Sequence, residues 1–143
     1  MEAVFKLDPM LKRDCFELLE LKLSKLLLMN DSQYPWFILV PKRTGIEDIY
    51  QLDWQDQQQL LNESSALSEI LMQAFTGRKM NVAALGNMCS QLHVHHVVRF
   101  ENDCAWPKPV WGYSPAIAYT EYEINALKTK LLPPLKKVLM PEC

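Results

Sequence analysis

The sequence predicts an α+β fold in which one long helix packs on an antiparallel sheet. Three observations predict it. Strand-like runs come first, a long helical stretch follows, and further strand-like runs come after it. That order does not fit the regular βαβ alternation of a parallel sheet. Between positions 54 and 76, Leu60, Leu61, Leu67, Ile70, Leu71 and Phe75 recur at helical spacing, so one helix face is apolar. Gln91 to Phe100 alternates between two faces along its length, as a strand does.

Taken in order, the opening residues carry Asp8-Pro9, a turn signal, and then a mixed Leu/Lys stretch. Phe16 to Leu28 is ambiguous between helix and strand. Lys25 to Met29 is expected as a strand, because Asn30-Asp31-Ser32 stops it and Trp36 to Val40 reads as its hairpin partner. Pro41 ends that partner, and Thr44-Gly45 marks a loop. Ile46 to Leu52 allows one helical turn. Asp53 is an expected N-cap for the long helix, and Gly77 its expected stop. Gln55, Gln57, Gln58 and Gln59 should lie mainly on the wet side. Lys79 to Leu85 is expected as a strand, followed by a turn at Gly86-Asn87. Pro107, Pro109 and Gly112 make an irregular, Trp-rich stretch. Glu121 to Leu132 is expected as a helix that Pro133-Pro134 interrupts.

Composition excludes several classes. The chain has 143 residues, 49% hydrophobic and 22% charged, which suits a globular domain. A net charge of -2 advertises neither a nucleic-acid polymer nor an anionic membrane as partner. The start, Met1-Glu-Ala-Val-Phe-Lys-Leu-Asp, does not read as a signal peptide, and no apolar run reaches the roughly 18 residues of a membrane span. Cys15, Cys89, Cys104 and Cys143 are scattered, with no CxxC pair, so reduced thiols in the cytoplasm are the expectation.

All three histidines fall in the run Gln91-Leu-His-Val-His-His-Val-Val-Arg99. Alternation puts Gln91, His93, His95, Val97 and Arg99 on one face. It puts Leu92, Val94, His96, Val98 and Phe100 on the other. The apolar set belongs to the core, and the polar set to a surface or cleft. His93 and His95 are thus neighbours about 7 Å apart along the strand. His96 points away, as a core histidine or one at a subunit contact. One further reading makes His93 and His95 ordinary histidines without function. Another makes them zinc ligands, with a third ligand from Cys104, Asp103 or Glu101.

The segment resembles the histidine triad (HIT) superfamily, whose motif is His-φ-His-φ-His-φ-φ with φ apolar. Aligning the second and third family histidines on His93 and His95 preserves the alternation. Gln91 then takes the first position, as a Gln variant of the motif in a bacterial HIT-like subgroup. Gly86-Asn87-Met88-Cys89 stands at the spacing of the family's phosphate-cradling loop. Asn81 and Asn30 resemble its substrate-binding and ribose-contacting residues. The ending Val40-Pro41-Lys42 and the stretch Ala105-Trp-Pro-Lys-Pro-Val-Trp-Gly112 are also HIT-like. The likeness covers roughly residues 15–112.

The resemblance implies a single HIT-like domain over 1–143. Its sheet would have about five strands, its core would span roughly 15–112, and an irregular and helical tail would occupy 113–143. It implies a nucleotide hydrolase or nucleotidyl transferase, with a non-catalytic nucleotide binder as the alternative. His93 would attack the α-phosphorus, and Asn30, Asn81, Gly86, Asn87, Met88, Cys89, Gln91 and His95 would bind substrate. A homodimer is implied, with no cofactor and no metal. Gln91 can hold a neighbour by hydrogen bonds but cannot carry a proton. Met88 stands where some relatives have a hydroxyl. Trp106 and Trp111 would close over a base or a subunit contact, or pack the tail against the sheet.

Overall fold

The computed structural model describes residues 4–140, so residues 1–3 and 141–143, Cys143 among them, lie outside the described residues. Its five strands form one antiparallel sheet in the order β1-β2-β3-β5-β4. They are β1 (Cys15–Glu20), β2 (Ser24–Met29), β3 (Trp36–Pro41), β4 (Lys79–Ala83) and β5 (Val94–Arg99). The helices are α1 (Pro9–Asp14), α2 (Trp54–Phe75) and α3 (Glu121–Leu139). This is the expected α+β class.

Several elements differ from expectation. Asp8-Pro9 is not a simple turn. The Asp8 carboxylate accepts a hydrogen bond from the Met10 N–H, and Pro9 opens α1, where its missing N–H costs nothing. The ambiguous stretch splits into two strands that pair as a hairpin. β5 begins at Val94 rather than Gln91; its first pairings are Val94 with Leu39 on β3 and His95 with Ala83 on β4. β3 runs on through Val40 and Pro41, which pair with β2 and not with the residues before Val94. β4 likewise ends at Ala83, not Leu85.

α2 is capped by Asp53, whose carboxylate accepts from the Asp56 N–H at 2.8 Å. Leu60, Leu67, Ile70 and Leu71 are buried on it, but Leu61 is exposed and Glu63 takes an inward position. Of the glutamines, Gln55 and Gln58 are exposed and Gln57 and Gln59 half-buried. Thr76 supplies the left-handed cap. Gly77 is there for space, since a Cβ would collide with Val98 and Met72. α3 runs through Pro133-Pro134. The carbonyls those prolines leave without helical donors belong to exposed residues 129 and 130, where water can serve them. Leu131 and Leu135, on either side, are buried in the core.

The sheet carries an apolar cluster on each face. α2 and α3 cover one, which gathers Leu26, Phe37, Leu67, Leu71, Val98, Leu131 and Leu135. α1 and the stretch 105–111 cover the other, with Leu7, Leu11, Tyr34, Trp36, Ile38, Val97 and Val110. Packing therefore reaches beyond 15–112 at both ends. Among the described residues, no helix is long and apolar enough to cross a membrane.

Candidate functional site

The histidine face is not an open surface. His93, His95 and Arg99 are all buried, under α1 and the Trp-rich stretch. The strand alternation was right about which residues share a face. It could not show what covers them. The two imidazoles tilt together, with ring centroids 4.9 Å apart and planes at 73°. His96 lies on the helix side, fully buried. Its Nδ1 donates to the Val94 carbonyl, and Ser64 Oγ lies 2.7 Å from its Nε2, as a satisfied core histidine requires.

Hydrogen bonds assign the protons of the facing pair. His93 Nδ1 sits 2.7 Å from the Gln91 carbonyl oxygen. A carbonyl only accepts, so Nδ1 carries a proton, and in the neutral ring Nε2 carries the lone pair. The Gln91 side chain points elsewhere. Its Oε1 accepts from the Asp8 N–H and its Nε2 donates to the Lys6 carbonyl, both at 2.9 Å, tying down the N-terminal segment. The backbone of Gln91, not its amide, orients His93. Burial, then His93 and His96, lowers the His95 pKa to about 3, so this ring is neutral. Burial also lowers that of His96 to about 4.

Gly86 has a φ of +75°, the left-handed conformation expected where the Gly86–Cys89 turn reverses the chain. Met88 is exposed and Cys89 buried. Burial, and then Asp8, raises the Cys89 thiol pKa, so it is not a reactive thiolate. Asn81 accepts from Arg99 Nη1 at 2.9 Å. The Asn30 side-chain oxygen accepts from the Tyr119 N–H at 2.9 Å. Asn30 also lines a cleft of about 360 Å³ with Asp31, Trp36, Trp111 and Ser114. Trp36 and Trp111 form its inner wall, and both pack edge-on against His95. A roomier cavity of about 740 Å³ opens between the β1–β2 turn, α2 and the end of α3; no histidine lines it or the smaller cleft, which reaches His95 only through the two tryptophans.

Sequence reading gave no site role to Trp36 or Asp31, and offered Asp103 only as a zinc ligand. Asp31 accepts from the Gln33 and Ile117 backbone and pins the loop after β2. Asp103 accepts two hydrogen bonds from Arg99 and caps the backbone N–H groups of Phe100, Ala105 and Trp106. Trp106 lies against the Arg99 guanidinium. The tryptophans thus pack the irregular stretch against the sheet. The third zinc ligand has no candidate left: Asp103 is held by Arg99, Glu101 by Arg78, and Cys104 lies 3.0 Å from the Tyr34 hydroxyl. Among the described residues no cluster of three or more His, Cys, Asp or Glu could hold a metal.

An α+β sheet with paired histidines leading off a central strand defines a class, and a family model agrees with it. The HIT domain model matches residues 11–102, and the chain belongs to that family. Solved structures agree. A histidine triad protein from Marinobacter aquaeolei VT8 is 52% identical, with a TM-score of 0.93, over 95% of this chain and 99% of that one. A histidine triad (HIT) protein from Sinorhizobium meliloti 1021 is 38% identical, with a TM-score of 0.89, over 91% and 96%. A histidine triad protein from Bradyrhizobium japonicum is 37% identical, with a TM-score of 0.89, over 96% and 99%. No curated protein matches the chain significantly.

Proposed function

We propose that the chain is a nucleotide hydrolase or nucleotidyl transferase acting at a nucleotide α-phosphate through a covalent nucleotidyl-histidine. The observation that carries this reading is the His93 hydrogen bond to the Gln91 carbonyl, which leaves Nε2 with a lone pair. In the first step His93 Nε2 attacks the α-phosphorus. A P–N bond forms, the bond to the leaving group breaks, and the leaving group takes a proton from solvent. Water or another acceptor then attacks phosphorus, the P–N bond breaks, and the nucleotidyl group departs.

The other site residues have proposed roles in binding. His95 donates to a phosphoryl oxygen. The backbone of Gly86, Asn87, Met88 and Cys89 supplies N–H groups for the phosphate. Asn30, on the cleft, contacts the sugar through its amide N–H group, and Asn81 offers the same group to substrate. Gln91 contributes its backbone carbonyl. No cofactor enters the scheme. The proposal also includes a cytoplasmic setting, in keeping with the free thiols of Cys15, Cys89 and Cys104. It includes a homodimer joined along the β4 edge, where Val82 and Leu85 are exposed; a monomeric mass by light scattering would refute that part.

The test is turnover of adenylyl and guanylyl phosphoramidates, dinucleoside polyphosphates and nucleotide sugars. His93→Ala should lower any activity by roughly a thousandfold or more. No turnover of any compound, or turnover indifferent to His93→Ala, sinks the reading. A second reading, a non-catalytic nucleotide binder, is favoured by the engagement of the Gln91 amide with Lys6 and Asp8. It expects AMP or GMP to raise the melting temperature without product formation.

A further inference from the structure

Trp36 opens β3 and stands diagonally across from His95, since its direct partner on β5 is Val97 and that of His95 is Ile38. Diagonal neighbours on a sheet face are within reach for aromatic side chains. Here the indole Nε1 lies 3.0 Å from His95 Nδ1, and both groups are buried. An indole N–H is a donor only. His95 Nδ1 must therefore be the bare acceptor, and the ring proton sits on Nε2. A cationic His95 would set two N–H groups head to head.

The ring is also held in place. The Trp36 and Trp111 rings meet the imidazole at centroid distances of 5.7 and 5.4 Å, and each other at 5.8 Å. Turning His95 over would put a carbon where Nδ1 stands and strand the buried indole N–H. His93 is fixed in the opposite tautomer by the Gln91 carbonyl. As neutral rings, the two adjacent imidazoles thus differ at the same atom: His93 has a lone pair on Nε2, and His95 has a proton there.

We infer that Trp36 is a positioning residue, whose indole N–H locks His95 in the Nε2–H tautomer and so makes it a fixed, neutral hydrogen-bond donor to the substrate's phosphoryl oxygen. The tautomer stands on the geometry alone, and its use on phosphate rests on the proposed function. The low pKa of His95 agrees with a group that donates without titrating.

The test is nitrogen NMR on histidine-labelled protein, with signals assigned by single substitution of each histidine. Wild-type His95 should show a bare Nδ1 and a protonated Nε2, unchanged between about pH 5 and 8, where an ordinary histidine titrates. A protonated Nδ1 anywhere in that range overturns the inference without any variant. Trp36→Phe keeps an aromatic ring and removes the N–H. It should give His95 a mixture of tautomers and lower kcat by about tenfold, with KM changed little. Replacing Trp36 by 3-benzothienylalanine, which swaps the N–H for sulfur in the same outline, gives the same comparison if the Phe variant does not fold. An unchanged His95 spectrum in the folded variant overturns the lock. A changed spectrum with unchanged turnover overturns the positioning role. If the wild type turns over none of the compounds, the proposed function fails, while the spectrum still decides the tautomer.

Discussion

Arg99 and Asp103 form a bidentate ion pair, at 2.9 and 3.1 Å, with side chains only 2% and 3% exposed. Arg99 also donates to Asn81 Oδ1 and the Lys108 carbonyl, and Tyr34 and Trp106 flank its guanidinium. Removing one partner leaves a buried charge uncompensated. Asp103→Ala should therefore destabilise the protein by about 3–5 kcal/mol, measured by urea unfolding. Arg99→Met with Asp103→Leu should cost clearly less than the single change. Equal loss in both would mean that packing, not charge, holds the stretch.

The same carboxylate has a pH signature. Burial acts to raise the Asp103 pKa, but the hydrogen bonds from Arg99, Phe100 and Trp106 outweigh it and hold the value below the ordinary 3.8. A depressed folded-state pKa contributes stability that is fully present above the unfolded value and lost as pH falls through the folded one. Stability should thus fall below about pH 4, and Asp103→Asn should flatten that limb of the curve.

A separate slope belongs to the buried histidines. The folded pKa values of His95 and His96 lie at about 3 and about 4, below the ordinary 6.5. Between those limits the unfolded chain binds protons that the folded chain refuses, so stability falls as pH drops from about 6.5 towards 4. His96→Val should reduce the slope. Ser64→Ala leaves a buried ring nitrogen without its partner and should cost about 1–2 kcal/mol. Denaturant midpoints at successive pH values read both, and a His96→Val slope equal to wild type would refute the assignment.

Gln91→Ala distinguishes the backbone of that residue from its side chain. The change frees the segment at Lys6 and Asp8, and two lost hydrogen bonds should cost about 1–3 kcal/mol. The carbonyl that holds His93 remains. The His93 nitrogen spectrum should therefore keep its Nδ1–H signature. Loss of that signature in a folded variant would show that the amide orients the ring after all.

Two glycines should respond for different reasons. Gly77→Ala forces a Cβ into Val98 in the core and should cost about 1–3 kcal/mol. Gly86→Ala meets only ordinary contact distances, so its cost, about 1 kcal/mol, comes from the positive φ. Calorimetric melting checks both, and the reverse ranking would contradict these environments.

Much of the site was legible because a strand has a period of two. That period alone separated His93 and His95 from His96. The cover over them was only half legible: packing of the Trp106 and Trp111 stretch on the sheet was one of the readings open to it, while α1 is a distant segment with no pattern that ties it to β5. Asp8-Pro9 was read as a turn, because the same dipeptide serves both a turn and a helix start. Pro133-Pro134 misled because local propensity was weighed without the burial of Leu131 and Leu135. Trp36 looked like one more apolar strand residue; only the diagonal geometry gives its N–H a partner.

The loop after β2 is laced to residues 114–119. The Ser32 N–H reaches the Ile117 carbonyl, the Gln33 amide reaches the Pro115 carbonyl, and the Tyr119 N–H reaches Asn30. One wall of the cleft is thereby built from chain that lies more than eighty positions downstream. During synthesis, that wall can assemble only once the downstream segment has left the ribosome. A nascent chain halted before residue 114 would carry all three histidines beside an unfinished cleft.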